Sequence, residues 1–119
     1  MTEKEAIDNY GEDKILIGFQ RYEDTAKGMA MDVKDFFVKI IVKQEGYQIL
    51  GAHIIGPHAS VLIQEIINLM YTPARSLQPL DQGMHIHPAL NEVVERAAGR
   101  LMPVEQYHHY LQHMGYAEK

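Results

Sequence analysis

The stretch FFVKIIVKQEGYQILGAHII, residues 36–55, decides the fold. From Phe36 to Lys43 the side chains alternate. Phe36, Val38, Ile40 and Val42 make one wholly apolar face, and Phe37, Lys39, Ile41 and Lys43 make the other. A period of two is the signature of a strand, and the apolar face should meet the core. Glu45-Gly46 supplies a turn, and Gln48–Ile55 is rich enough in branched residues to return as a second strand. So short a turn joins antiparallel strands only, since a parallel connection needs a crossover of a dozen residues or more.

The elements on either side follow from this hairpin. Lys14–Tyr22, KILIGFQRY, reads as another strand, and Met29–Val33 as a short strand or a connector. Thr2-x-x-Glu5 is a capping box that starts a short helix running toward Asn9. After the hairpin, Gly56-Pro57 stops the strand, and His58 or Ser60 can cap a helix over Ser60–Tyr71. There Leu62, Ile66, Leu69 and Met70 share one face, with Ile63 and Ile67 beside them, so burial on more than one side is expected. A short helix follows Ser76 and ends near Gly83. His87-Pro88 should open a helix reaching Met102, with Leu90, Val93, Val94, Ala97 and Leu101 inward. Pro103 opens a last helix through Met114. Strands first and helices afterwards predict an α+β fold, an antiparallel sheet with helices packed on one face.

A chain of 119 residues suits one domain spanning 1–119, with Met1–Asp13 as a lead-in and Pro103–Lys119 as a C-terminal helix and tail. Apolar residues make up 46%, which excludes a disordered segment. No apolar run is long enough to cross a bilayer, so no membrane partner is expected. The charged opening MTEKEAIDNYGEDK lacks a signal-peptide core, and the expected location is the cytoplasm. The absence of cysteine removes disulfides, thiolate ligands and a cysteine nucleophile. The net charge of −5, with basic residues scattered, argues against nucleic acid as a partner.

Two constellations carry chemistry. In MHIHPALNE, residues 84–92, Glu92 follows His87 by five positions, a little over one turn along a helix opened by Pro88. A carboxylate on one ring nitrogen fixes the imidazole tautomer and leaves the other nitrogen free to move a proton. On spacing alone, a histidine cap beside a solvated glutamate is the better reading. The second constellation is histidine-rich. His85 and His87 form H-x-H, and His109 and His113 sit one helical turn apart behind His108, a spacing that can chelate zinc or nickel. With no third ligand fixed by spacing, a solvated helix face is the better reading there. Gly51 and Gly56 match neither GxGxxG nor a P-loop, so they mark a tight strand and turn.

FFVKIIVKQEGYQILGAHIIGPHASVLIQEIINLMY followed by HIHPALNEVVERAA resembles the C-terminal dimerisation domain of the pyridine nucleotide-disulfide oxidoreductases, and within them the dihydrolipoamide dehydrogenase branch. The resemblance covers about Thr2 to Ala98. It implies a longer enzyme with an FAD domain and an NAD(P)H domain, forming a homodimer through this one. It also implies that His87 is the acid–base catalyst for the redox cysteine pair of the partner subunit, and that Glu92 holds it. The surrounding segment reverses the reading reached from spacing alone. Ala89 stands where the family usually has threonine, and Asn91 where serine is common. The resemblance assigns no cofactor-binding residue and no metal ligand to this chain. FAD and NAD(P) belong to the full-length enzyme, so the domain alone is expected to be inactive, and an excised domain is expected rather than a stand-alone homologue. The rival expectation is a free-standing metal- or small-ligand-binding domain built on the C-terminal histidines.

Overall fold

A computed structural model describes residues 1–24, 36–82 and 91–114. Its frame is a four-stranded antiparallel sheet of β1 (Ile15–Arg21), β2 (Phe37–Lys43), β3 (Gln48–Ile55) and β4 (Leu101–Pro103), in the order β3-β2-β1-β4. The helices are α1 (Glu3–Tyr10), α2 (Ala59–Met70), α3 (Gln78–Gln82), α4 (Asn91–Ala98) and α5 (Val104–His113). The first three strands lie within a residue of their expected bounds. The expected strand or connector at Met29–Val33 and the helix start at His87-Pro88 lie outside the described residues.

The alternation in β2 sorts two cores. Val38, Ile40 and Val42 point to one face, where they meet Tyr22, Ile49, Leu62, Ile66, Leu77, Val93 and Ala97. Ile41 points to the other, with Ile15, Ile17, Phe19, Leu50, Ala6, Val104 and Tyr107. β3 crosses from one parity to the other by a bulge. Ile41 pairs with Gly51 and Val42 with Ile49, so Leu50 is the extra residue. Without that bulge, with Ile49 still opposite Val42, Ala52 and Ile54 would turn away from the first core.

The expectation that helices share one face holds for α2, α3 and α4. It is corrected for α1 and α5, which cover the second face through Ala6, Val104 and Tyr107. The α4 expectation is corrected as well. The helix stops at Ala98, and Leu101 and Met102 belong to β4, paired with Gly18 and Ile17. Apolar periodicity runs through Leu101 in the sequence, but Gly99 breaks the helix there, and pairing with β1 satisfies the backbone of the following residues instead. The hairpin turn is also longer than Glu45-Gly46. It is a 3₁₀ turn over Glu45–Tyr47, with Gly46 at φ +66° and Tyr47 at φ +53°.

Thr2 caps α1 as expected. Its hydroxyl accepts from the Glu5 N–H, and the Glu5 carboxylate accepts from the Thr2 N–H. α2 begins one residue earlier than expected, at Ala59. Its cap is His58, in the left-handed region at φ +62°, and the His58 carbonyl rather than its ring accepts from Val61 and Leu62.

Two contacts fix the helices on the sheet. Gly18 faces the first core, and a Cβ there would collide with the backbone carbonyl of Ala97, so α4 lies directly on β1. On the second face the Glu3 carboxylate of α1 accepts from Lys39 Nζ of β2 at 2.6 Å and meets His108 Nε2 of α5 at 2.7 Å. Lys39 also stands 4.9 Å above the Tyr107 ring, a cation–π contact. Burial alone would raise the Glu3 carboxyl. The hydrogen bonds and charges of Lys39 and His108 outweigh it and hold the group below its ordinary value of 4.5.

Two outcomes are expected. Gly18→Ala should destabilise the fold by about 2 kcal/mol, because the added methyl meets backbone rather than a yielding side chain. Urea unfolding measures this, and a change within error would contradict the close approach of α4. Glu3→Gln should cost about 1 kcal/mol near neutrality. Since the folded carboxyl is depressed, its contribution is full above the unfolded value and fades as pH falls through the folded one. The difference between the parent and Glu3→Gln should therefore shrink below about pH 4. A difference that stays constant down to acid pH would mean that the Glu3 charge contributes nothing.

Candidate functional site

Of the expected acid–base pair, His87 and Glu92, the second belongs to α4. Along this helix Val93, Val94 and Ala97 are fully buried against β1 and β2, and Ala98 nearly so. Positions 93, 94, 97 and 98 are one helical stripe, and that stripe pins the helix. Glu92 is the second residue of α4, one position before the pinned stripe begins. Its backbone is therefore placed by the packing of its neighbours. His87 and His85 lie outside the described residues, as do Pro88, Ala89 and Leu90.

The described histidines scatter over the molecule. His108 pairs with Glu3. His53 Nε2 lies 3.2 Å from the Met1 carbonyl. His58 caps α2 through its backbone. His109 and His113 are exposed on α5, one turn apart, as their spacing predicts. Among the described residues no three histidine, aspartate or glutamate side chains stand close enough to hold a metal ion. A cleft of about 340 Å³ opens between β1, α3 and the end of α4, lined by Leu16, Tyr47, Leu77, Gln78, Ala98, Gly99 and Leu101. Among the described residues no carboxylate, imidazole or amine lines it.

The Glu3–Lys39–His108 cluster has no local signature. Its contacts span 36 and 105 residues of sequence, beyond the reach of any spacing rule. The one available hint was the paired parity of Lys39 with Ile41, which places a lysine on a face that also carries apolar residues. On the first face, Gln20 is a second unforeseen feature. It is only 1% exposed, its amide nitrogen donates to the Arg21 carbonyl at 3.3 Å, and its Oε1 has no hydrogen-bond partner among the described residues.

Among the described residues no helix is long and apolar enough to cross a membrane. The architecture matches that of LpdA from Mycobacterium tuberculosis with a TM-score of 0.68, at 21% identity, over 83% of this chain and 21% of that one. A mycothione reductase of Mycobacterium tuberculosis is 40% identical over 97 residues, 82% of this chain and 21% of the relative. A dihydrolipoyl dehydrogenase of Corynebacterium glutamicum is 31% identical over 97 residues, 82% of this chain and 20% of the relative. The chain thus spans about a fifth of the length of the curated relatives it matches. The model of the pyridine nucleotide-disulphide oxidoreductase dimerisation domain matches residues 1–98, from α1 through the pinned stripe of α4, and the chain belongs to that family.

Proposed function

We propose that this domain serves a flavin-dependent disulfide oxidoreductase of the dihydrolipoamide dehydrogenase kind, as a homodimer, and lends His87 and Glu92 to the partner subunit's redox disulfide. The observation that carries the reading is the family match, whose range of residues 1–98 takes in the 84–92 stretch. Residues 1–119 act as one domain in this reading, working in the cytoplasm.

The residues here do not fit a dinucleotide cofactor. The described sheet is antiparallel throughout, and the chain has no GxGxxG turn, so neither the parallel crossover nor the glycine turn that cradles a pyrophosphate is present. FAD and NAD(P) would be held by other domains of the enzyme. What this chain contributes is proton transfer. In thiol–disulfide exchange the thiolate is the nucleophile, so a substrate thiol must lose a proton and a leaving thiolate must gain one. The neutral imidazole of His87 takes the first proton, and the imidazolium returns it. Glu92 accepts from the far ring nitrogen and favours the imidazolium.

Support for association comes from the surface. Ile55 on β3, Val61 on α2 and Tyr71 at the end of α2 are large apolar residues that are 53%, 69% and 88% exposed. Singly they are ordinary, but a small domain with two thin cores has much to gain by covering them with a second copy. The other reading, a metal-binding domain built on α5, rests on the exposed His109–His113 pair alone.

In the complete enzyme, His87→Ala should lower kcat by about a hundredfold or more, the usual weight of a positioned acid–base group. Glu92→Gln should move the acid limb of the pH–rate profile to lower pH, because the imidazolium loses its stabilising charge. An unmoved profile would sink the role of Glu92. A monomer mass by light scattering at high micromolar concentration would sink the dimer. Stoichiometric zinc that is lost on replacing His109 and His113 would favour the metal reading.

A further inference from the structure

Residues 99–119 lie beyond the family match, which ends at residue 98. Residues 101–114 nevertheless build part of the fold. β4 extends the sheet by pairing with Leu16, Ile17 and Gly18 of β1. α5 then turns back over the second face, where Val104 and Tyr107 are buried, and the Tyr107 and Tyr110 rings stack against Phe19 at 5.7 and 6.0 Å. α1 lies on the same face. Eight residues with Ala6 as the buried anchor are too few to hold a helix without tertiary contacts. Those contacts come from two other elements at one carboxylate. Glu3 of α1 is only 17% exposed and meets Lys39 of β2 and His108 of α5. Just upstream, the Met1 backbone crosses β3 so closely that a Cβ on Gly51 would collide with it, and His53 meets the Met1 carbonyl.

We propose that β4 and α5 form a clip that fixes α1 and the residues before it against the sheet, with the Glu3 carboxylate as its catch. Two features make this more than ordinary packing. The catch joins the first and last described helices directly, at 105 residues of separation, so ordering either one orders the other. Lys39 is shared between them, since its ammonium bonds Glu3 and lies over the Tyr107 ring of α5. Losing α5 would therefore leave Lys39 and Glu3 facing water over an uncovered apolar patch. In a chain that continues upstream of Met1, α1 is the joint through which the preceding part is attached, and the clip sets its direction. That consequence rests on the function proposed above, whereas the clip itself does not.

Hydrogen exchange of the full chain tests the coupling in both directions. Glu3→Ala should speed exchange of α5 amides over residues 105–113 by about threefold, and His108→Ala should speed α1 amides over residues 6–10 by a similar factor. α4, on the opposite face, should be unchanged in both variants. If Glu3→Ala does not fold, Glu3→Gln is read in the same way and should give a smaller change of the same pattern. The clip is overturned if each variant loosens only its own helix, or if α4 loosens in parallel, which would mean general destabilisation. Unchanged exchange in both α1 and α5 overturns the clip whatever the oligomeric state, whereas a monomer mass for the unsubstituted chain counts against the functional reading alone.

Discussion

β1 is buried on both faces and paired on both edges, and the rest of the molecule is arranged around that fact. Ile15, Ile17 and Phe19 project into the second core while Leu16, Gly18 and Gln20 face the first. A strand in that position must be apolar in both parities or nearly so, which is why ILIGFQ shows no clean alternation. The exception is Gln20, whose amide is buried with its oxygen unpartnered among the described residues, an arrangement that costs stability where no water reaches it. Because β1 is enclosed, each layer has a fixed floor. α4 rests on Gly18, β4 extends the free edge, and α5 and α1 close the far side.

How much of this was legible in the sequence depends on how local each signal was. The hairpin could be read because its period of two is strong and its turn is short. The capping box of α1 could be read because both partners lie within four residues. The β3 bulge could not, since Leu50 and Gly51 look like any strand pair until their register against Ile41 is known. The end of α4 was misread because Leu101 continues the helical stripe in sequence while its backbone is taken by β1. The cover on the second face was missed for a related reason. Phe37, Lys39, Ile41 and Lys43 mix lysines with apolar residues and so look solvated, yet Lys39 is partly buried and its ammonium lies over the Tyr107 ring.

The proposed site rests on a different kind of signal. Spacing alone could not separate a catalytic histidine and glutamate from a cap and a solvated side chain. The longer segment around them, matched as a family over residues 1–98, carries information that no short motif holds. The geometry then adds what the motif lacked, the stripe of Val93, Val94, Ala97 and Ala98 that fixes α4.

That stripe ties the packing constraint to the proposed chemistry. Proton transfer between heavy atoms needs them within hydrogen-bond reach, and a misplacement of about 1 Å can cost about a hundredfold in rate. α4 carries Glu92, the second of its described residues, and touches the backbone of β1 near its end, where Ala97 lies over Gly18. A rigid helix of two turns transmits a tilt from one end to the other. A methyl group added at Gly18 cannot be absorbed by the Ala97 carbonyl moving aside, because that carbonyl belongs to the helix backbone. The helix must lift, and the end bearing Glu92 must shift with it. Gly18, the smallest residue of the central strand, thereby limits where Glu92 of the proposed acid–base pair can stand.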